Sequence, residues 1–272
     1  MEARQPGDNR RNRTGPKYGP PGQTQFPEIP RMSAAPKTFV LIHGFWHGAW
    51  CWKYLAPLLT APGHRVHALS YTGMGERAHL LASGISIDTF VDDVVGVIEA
   101  EELENVILVA HSFGGVPATG VAARIPQRLA HLVYLDAGLV LSGESAADTH
   151  PPAAVQERLA SAAAAGGLAV PVPTRLPDSW GLAPGTPDYD WVLRRLTPQP
   201  LGSYTTPLHY AGPPGNGVPA TYIECTAPPT AMQDVARKRA AALPGWRYLK
   251  MATPHDAMIT HPREVAEILL AL

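Results

Sequence analysis

The chain has 272 residues, enough for one large domain or two small ones, and 45% are hydrophobic, enough for a substantial core. Charged residues make up only 17% and the net charge is −1, which gives no electrostatic reason to expect nucleic acid or an anionic membrane as partner. The two cysteines, Cys51 and Cys225, read as free thiols in a reducing cytoplasm, although the sequence leaves a bridge between them open.

No apolar run of about 18 residues occurs, so no transmembrane helix is expected. Arg10 and Arg11 are not followed by an apolar stretch, which argues against a secretory or twin-arginine signal. Cytoplasmic localisation is therefore expected.

Residues 1–36 are rich in Pro, Gly, Arg, Asn and Gln and nearly devoid of apolar residues. Such a segment buries too little surface to offset its ordering entropy and reads as a disordered tail. Met32, opening MSAAPKTFV, is a candidate natural start. From there a single domain is expected over 37–272.

KTFVLI (37–42) has the continuous apolar character of a strand buried on both faces. A helix is predicted over Trp50–Leu59 and a strand over Arg65–Leu69. Phe90, Val94, Val97 and Ile98 recur at helical spacing, opposite Asp92, Asp93 and Glu99, and predict a helix over Thr89–Glu101. A strand at Val106–Ala110, a small-residue helix at Phe113–Arg124 and a strand at Leu132–Leu135 follow.

Residues 139–218 break this rhythm with many prolines, the run ASAAAAGG and five large aromatics: Trp180, Tyr189, Trp191, Tyr204 and Tyr210. A linker needs no such aromatics, so the segment reads as a cap inserted between two core strands. The pattern then resumes with a strand at Thr221–Cys225, a helix at Ala231–Leu243, a strand at Trp246–Leu249 and a helix at Arg263–Leu270. Alternation of this kind predicts an α/β protein with a doubly wound, mostly parallel sheet.

Three segments carry chemistry. In VILVAHSFGGVPATG (106–120) an apolar strand runs into Ala110-His111-Ser112-Phe113-Gly114, then a helix. This resembles the nucleophile elbow of the α/β-hydrolase superfamily, in which a sharp turn lifts a serine above the sheet and aims the next backbone N–H at a developing oxyanion. Ala110 stands where the first glycine of the motif is usual. Upstream, LIHGFWHGAWCW (41–52) resembles the loop that supplies the second oxyanion donor, here the Phe45 N–H beside that of Phe113. Near the C-terminus, MATPHDAMITHPREVAEIL (251–269) presents His255 after a strand, the order this superfamily requires of its general base. His261 is the weaker competitor because it sits beside Pro262 at a helix start. His43 reads as a loop brace and Trp46 as a pocket residue; His47 and His111 lie near the same mouth, either backing the catalytic groups or in the pocket, where His111 is placed.

Together with YTGMGERAHL and LVYLDAG, these segments resemble bacterial esterases related to plant methylesterases and hydroxynitrile lyases, over most of residues 37–272. Gly73, Gly75, Glu76, Arg77, His79 and Leu80 match a subgroup that includes hydrolases of small methyl esters and aryl carbamates. The resemblance implies a serine nucleophile, an acyl-enzyme, and neither metal nor cofactor. The lyases of the group carry a lysine directly after the triad histidine and a threonine in place of Gly44. Asp256 stands in the first position, so lyase activity is discounted.

The relatives place their acid a few residues beyond the strand that here reads TYIECT, where this chain has Ala227 or Pro228. Asp136, ending the strand after the elbow helix, is the preferred acid, with Glu224 as alternative; Asp256 and Asp234 are the lesser candidates. The expected function is hydrolysis of small apolar or aromatic esters by Ser112, His255 and Asp136. The rival is a non-catalytic small-ligand-binding protein on the same fold. Neither nucleic acid nor membrane is expected as partner, and oligomeric state stays open.

Overall fold

A computed structural model of the chain describes residues 1–2 and 35–272. The expected N-terminal tail and the start at Met32 lie outside the described residues, apart from their edges.

Six parallel strands form the central sheet: β1 (Thr38–Ile42), β2 (Arg65–Leu69), β3 (Val106–His111), β4 (Leu129–Leu135) and, after the insert, β7 (Ala220–Cys225) and β8 (Arg247–Met251). Their order is β2-β1-β3-β4-β7-β8. The chain winds one way from β1 to β2 and the other way from β3 onward, so the winding reverses between β1 and β3. In doubly wound sheets, ligands bind beyond the strand C-termini at this switch point. Strand β3 is buried at all six positions, and Phe39–Ile42 of β1 are fully buried, as their unbroken apolar runs require.

The predicted helix over Trp50–Leu59 is instead split into a 3₁₀ turn at Ala49–Trp52 and α1 (Ala56–Thr60). Pro57 lacks a backbone N–H and is tolerated only in a first helical turn, so the helix has to begin beside it. Helix α2 (Ile87–Ala100) starts two residues before its predicted position, where Ser86 and Thr89 form a reciprocal capping box. Helix α3 (Gly115–Arg124) packs on α2 through Gly120, where a Cβ would meet Val91 Cγ2 at 2.6 Å.

Between β4 and β7 the insert forms α4 (Pro152–Ala164), α5 (Pro187–Leu193), α6 (Leu201–Thr205) and a two-stranded antiparallel pair, β5 (Ala169–Val170) with β6 (Gln199–Pro200). Tyr204, Tyr189, Trp180 and Trp191 are all buried in it. It is fastened to the loop after β1: Trp46 donates from its backbone to Gln199 Oε1 at 3.2 Å and from Nε1 to Val170 O at 3.2 Å. Helices α7 (Asp234–Ala242), α8 (Ala257–Thr260) and α9 (Pro262–Leu270) complete the chain. Both cysteines are buried and unpaired. No helix among the described residues is long and apolar enough to cross a membrane.

Candidate active site

Four strand ends meet at one edge of the sheet. The turn after β3 holds Ser112 at φ 54°, in the left-handed region that L-residues with a side chain avoid. Tight packing enforces this conformation. A Cβ at Gly114 would lie 2.8 Å from His43 O, and one at Gly115 would lie 2.0 Å from Gly138 O. Only glycines let the elbow press this closely on its neighbours.

Ser112 Oγ donates to His255 Nε2 at 2.9 Å, and His255 Nδ1–H donates to Asp136 Oδ2 at 2.6 Å. Asp136 is fully buried at the end of β4 and Ser112 is 9% exposed. Residues 119 and 143 positions from His255 are thus aligned on its two ring nitrogens. Burial opposes ionisation of Asp136, but the bond and charge of His255 and the Arg237 guanidinium outweigh it and hold the carboxyl below its ordinary range. Arg237, on α7, donates to Asp136 Oδ1 from Nε at 3.3 Å and Nη2 at 2.9 Å. The Cys225 N–H approaches the same oxygen at 3.4 Å.

The alternatives for the acid lie elsewhere. Glu224 Oε2 accepts from Tyr248 at 3.1 Å and pairs with Lys250 at 3.3 Å. Asp234 pairs with Arg237 and is exposed. Asp256 turns away from His255: fully buried, it accepts from His47 Nε2 at 3.3 Å. His261 bonds Thr260 at 2.8 Å.

Gly44 packs against the elbow, for a Cβ there would lie 2.8 Å from Ser112 Cβ and 3.3 Å from Ser112 Oγ. Phe45 and Phe113 both border the cavity beside Ser112, and among the described residues the Phe45 N–H has no backbone acceptor. His43 braces this loop by bonding Gly44 O at 2.8 Å and accepting the Tyr71 N–H at 3.3 Å. Burial, ahead of the charge of His47, lowers its pKa from 6.5 to about 3, so it stays neutral.

A cavity of about 530 Å³ opens over Ser112 and His255. Phe45, Trp46, His47, Phe113 and Trp180 supply its aromatic lining, and Arg158 of α4 borders it. The expectation of His111 as a pocket residue is corrected. Ser112 sits in the left-handed turn and borders the cavity, whereas His111, the last residue of β3, faces the interior. There it is fully buried, with Nε2 3.1 Å from His255 O. Burial, then the charge of His255, lowers its pKa to about 3.

The insert meets the base directly. His255 N–H donates to Ser179 O at 2.9 Å, and a Cβ on Gly181 would lie 2.2 Å from Pro254 Cγ. The stretch Gly73–Leu80 does not line the cavity; Glu76 accepts from Ser70 and Arg77 pairs with Asp93 at 3.0 Å, bracing the loop after β2. His111, His255 and Asp256 place ligand-type atoms within 4.8 Å of one another. They do not suit a metal, since both ring nitrogens of His255 already bond Ser112 and Asp136. Arg158, Arg237 and the His47–Asp256 pair had no local signature in the sequence.

The model of the alpha/beta hydrolase family matches residues 39–268. The carbendazim hydrolyzing esterase of Nocardioides sp. (strain SG-4G) is 40% identical over 243 residues, covering 86% of this chain and 98% of that protein. Methylesterase 2 of Arabidopsis thaliana is 28% identical over 265 residues, covering 86% and 95%. Among solved structures, an extracellular alpha/beta-hydrolase from a Paenibacillus species superposes with a TM-score of 0.75 at 24% identity, over 87% of this chain and 98% of that one. With a six-stranded parallel sheet whose strand ends gather Ser112, Asp136 and His255, the chain belongs to the alpha/beta hydrolase family.

Proposed function

We propose that the protein hydrolyses small carboxylic esters, apolar or aromatic, through an acyl-enzyme on Ser112. The observation that carries this reading is the buried Ser112–His255–Asp136 chain of hydrogen bonds, 2.9 and 2.6 Å, at the floor of the cavity. Its relatives named as a carbendazim hydrolyzing esterase and a methylesterase support the bond type.

Ser112 Oγ attacks the ester carbonyl while its proton passes to His255 Nε2. The oxyanion takes the Phe45 and Phe113 N–H groups, and Asp136 stabilises the imidazolium through Nδ1. As the tetrahedral adduct collapses, the acyl–O bond breaks and His255 returns the proton to the departing alcohol. Water, deprotonated by the same imidazole, then frees the acid and restores the serine hydroxyl. The insert serves as a cap whose aromatics set an apolar pocket.

The rival reading, a non-catalytic binder, drew on the lack of a carboxylate in the 226–230 loop; the contact of Asp136 with His255 weakens that ground. Lyase chemistry gains no support, since Asp256 faces His47 and Gly44 leaves no room for a threonine side chain beside Ser112. A fluorophosphonate probe should label the wild-type protein at Ser112, and Ser112→Ala should abolish both labelling and turnover of an ester panel. Undiminished hydrolysis by Ser112→Ala would sink the reading.

A further inference from the structure

Helix α4 carries a cation at the cavity that the chemistry just described does not use. The Arg158 guanidinium carbon lies 4.5 Å from the Phe45 ring centroid, 5.2 Å from Trp46 and 5.3 Å from Tyr204. These rings attract the cation through their faces, but the faces accept none of its in-plane hydrogen bonds. Nη1 donates to His150 Nδ1 at 3.1 Å, and the Tyr204 hydroxyl bonds the same nitrogen at 3.1 Å. His150 is neutral, its pKa lowered to about 3 by burial and then by Arg158 itself, so it offers an acceptor and no countercharge.

Among the described residues Arg158 makes no ion pair. The other charged groups bordering the cavity are Glu157 and Arg175. Glu157 is exposed and also outside any ion pair, and Arg175 is paired with Asp178 at the exposed rim. A guanidinium has five N–H donors, of which His150 Nδ1 and the Tyr204 hydroxyl take two. A partly desolvated cation with open donors, held flat by aromatic rings, is suited to a planar anion bound through two parallel hydrogen bonds.

Position narrows the ligand. The Phe45 ring touches both sides of the site: it is 4.5 Å from the guanidinium carbon and 5.6 Å from the ring of Phe113, which follows Ser112. Ser112 and Arg158 border the same cavity of about 530 Å³, so one small molecule can reach both. With a whole-chain net charge of −1, no long-range field draws anions in, so recognition falls to this contact.

We propose that Arg158 is a specificity-determining residue that binds a second, free carboxylate on the substrate, so that the preferred esters are aromatic half-esters of dicarboxylic acids. The proposal rests on the ester-hydrolase reading for the cleaved bond, but not for the binding itself. The competing role is mechanical: Arg158 would then only pin α4 onto Phe45 and Trp46, and would treat charged and neutral esters alike.

Matched probes separate these roles. Monomethyl terephthalate and methyl 4-methylbenzoate differ only in a carboxylate replacing a methyl group. Kd for each, measured by calorimetry on Ser112→Ala protein, reads binding without turnover; kcat/KM on otherwise wild-type protein reads specificity. The anionic ester should be favoured by about 10- to 100-fold in both, the range of a charge-assisted hydrogen-bonded pair. Arg158→Met should abolish the preference while leaving the neutral ester within about threefold, and Arg158→Lys should restore part of it.

An unchanged preference in Arg158→Met, or equal losses on both esters, overturns the proposal. If Arg158→Met fails to fold, the wild-type side chain still decides: less than a tenfold preference in Kd for the anionic ester overturns it. Full turnover by Ser112→Ala overturns the serine-hydrolase reading instead, and the kcat/KM ratio of the two esters, with and without Arg158→Met, still judges Arg158.

Discussion

Arg237 occupies one carboxylate oxygen of Asp136, donating to Oδ1 at 2.9 and 3.3 Å, and thereby reserves Oδ2 for His255 at 2.6 Å. The guanidinium is itself fixed by Thr230 O at 2.9 Å and Asp234 at 3.2 Å. It acts through the acid, touching neither cavity nor nucleophile. Arg237→Met removes a countercharge from a buried carboxyl and should raise the pKa of Asp136. The acid limb of the kcat/KM profile should move to higher pH, with activity at neutral pH down by about 10- to 100-fold, a range of about 1.4–2.7 kcal/mol. A fall in activity without movement of that limb would reduce Arg237 to a packing residue.

The two candidate acids predict opposite results. Asp136→Asn should preserve the fold and lower kcat by on the order of 10³–10⁴, as expected for loss of the group that orients and charge-stabilises a catalytic imidazole. Glu224→Gln should change kcat less than about threefold, since Glu224 serves Tyr248 and Lys250. Steady-state kinetics on the two variants suffice.

Gly44 is a close-contact test of the oxyanion loop. In Gly44→Ala a methyl group would meet Ser112 Cβ at 2.8 Å, so either the loop or the serine must shift. Displacement of catalytic groups by about 1 Å costs on the order of 10² in rate. The variant should fall by at least that factor in kcat, with KM much less affected.

Asp256 links the base loop to the oxyanion loop through His47, whose Nδ1 donates to Phe45 O at 2.8 Å. Burial of Asp256 opposes its ionisation, but the charges and bond of His47 and the neighbouring histidines hold its pKa below the usual range. Removing one partner of a buried hydrogen bond typically costs about 1–3 kcal/mol. Asp256→Ala should lower the denaturant midpoint accordingly, and an equal midpoint would show the pair to be energetically idle.

Buried neutral imidazoles set the acid stability. His43, His111 and His150 each have a pKa lowered from 6.5 to about 3, with burial the leading cause. Below pH 6.5 the unfolded chain takes up protons that the folded chain refuses, so stability is full above that pH and drains away as pH falls toward 3. Each group contributes at most about 1.4 kcal/mol per pH unit. Urea titrations from pH 7.5 to 4.5 should show this decline, and His43→Asn should shallow the slope whatever it does to absolute stability.

What could be read in advance follows the range of the interactions. Strands β1 and β3 are visible as apolar runs because burial on both faces dictates them residue by residue. The elbow is visible because its glycines answer local clashes. The contact of Asp136 with His255 joins residues that strand-end reasoning selected, whereas Glu224 stayed open because a strand's pleat, invisible in one sequence, decides which way a side chain points. Arg237 meets Asp136 across 101 residues and Asp256 meets His47 across 209, so nothing local marks either. His111 was placed in the pocket because it adjoins Ser112, while the left-handed turn at Ser112 sends the two side chains apart.

The bond from His255 N–H to Ser179 O ties one wall of the cavity to the imidazole's own backbone. A wall so tied cannot be rebuilt without retuning the chemistry, and Gly181 against Pro254 tightens that tie. Helix α4 instead meets the cavity through Arg158, set over the ring faces of Phe45, Trp46 and Tyr204. Residues 178–181 thus act as the register mark against which His255 is held.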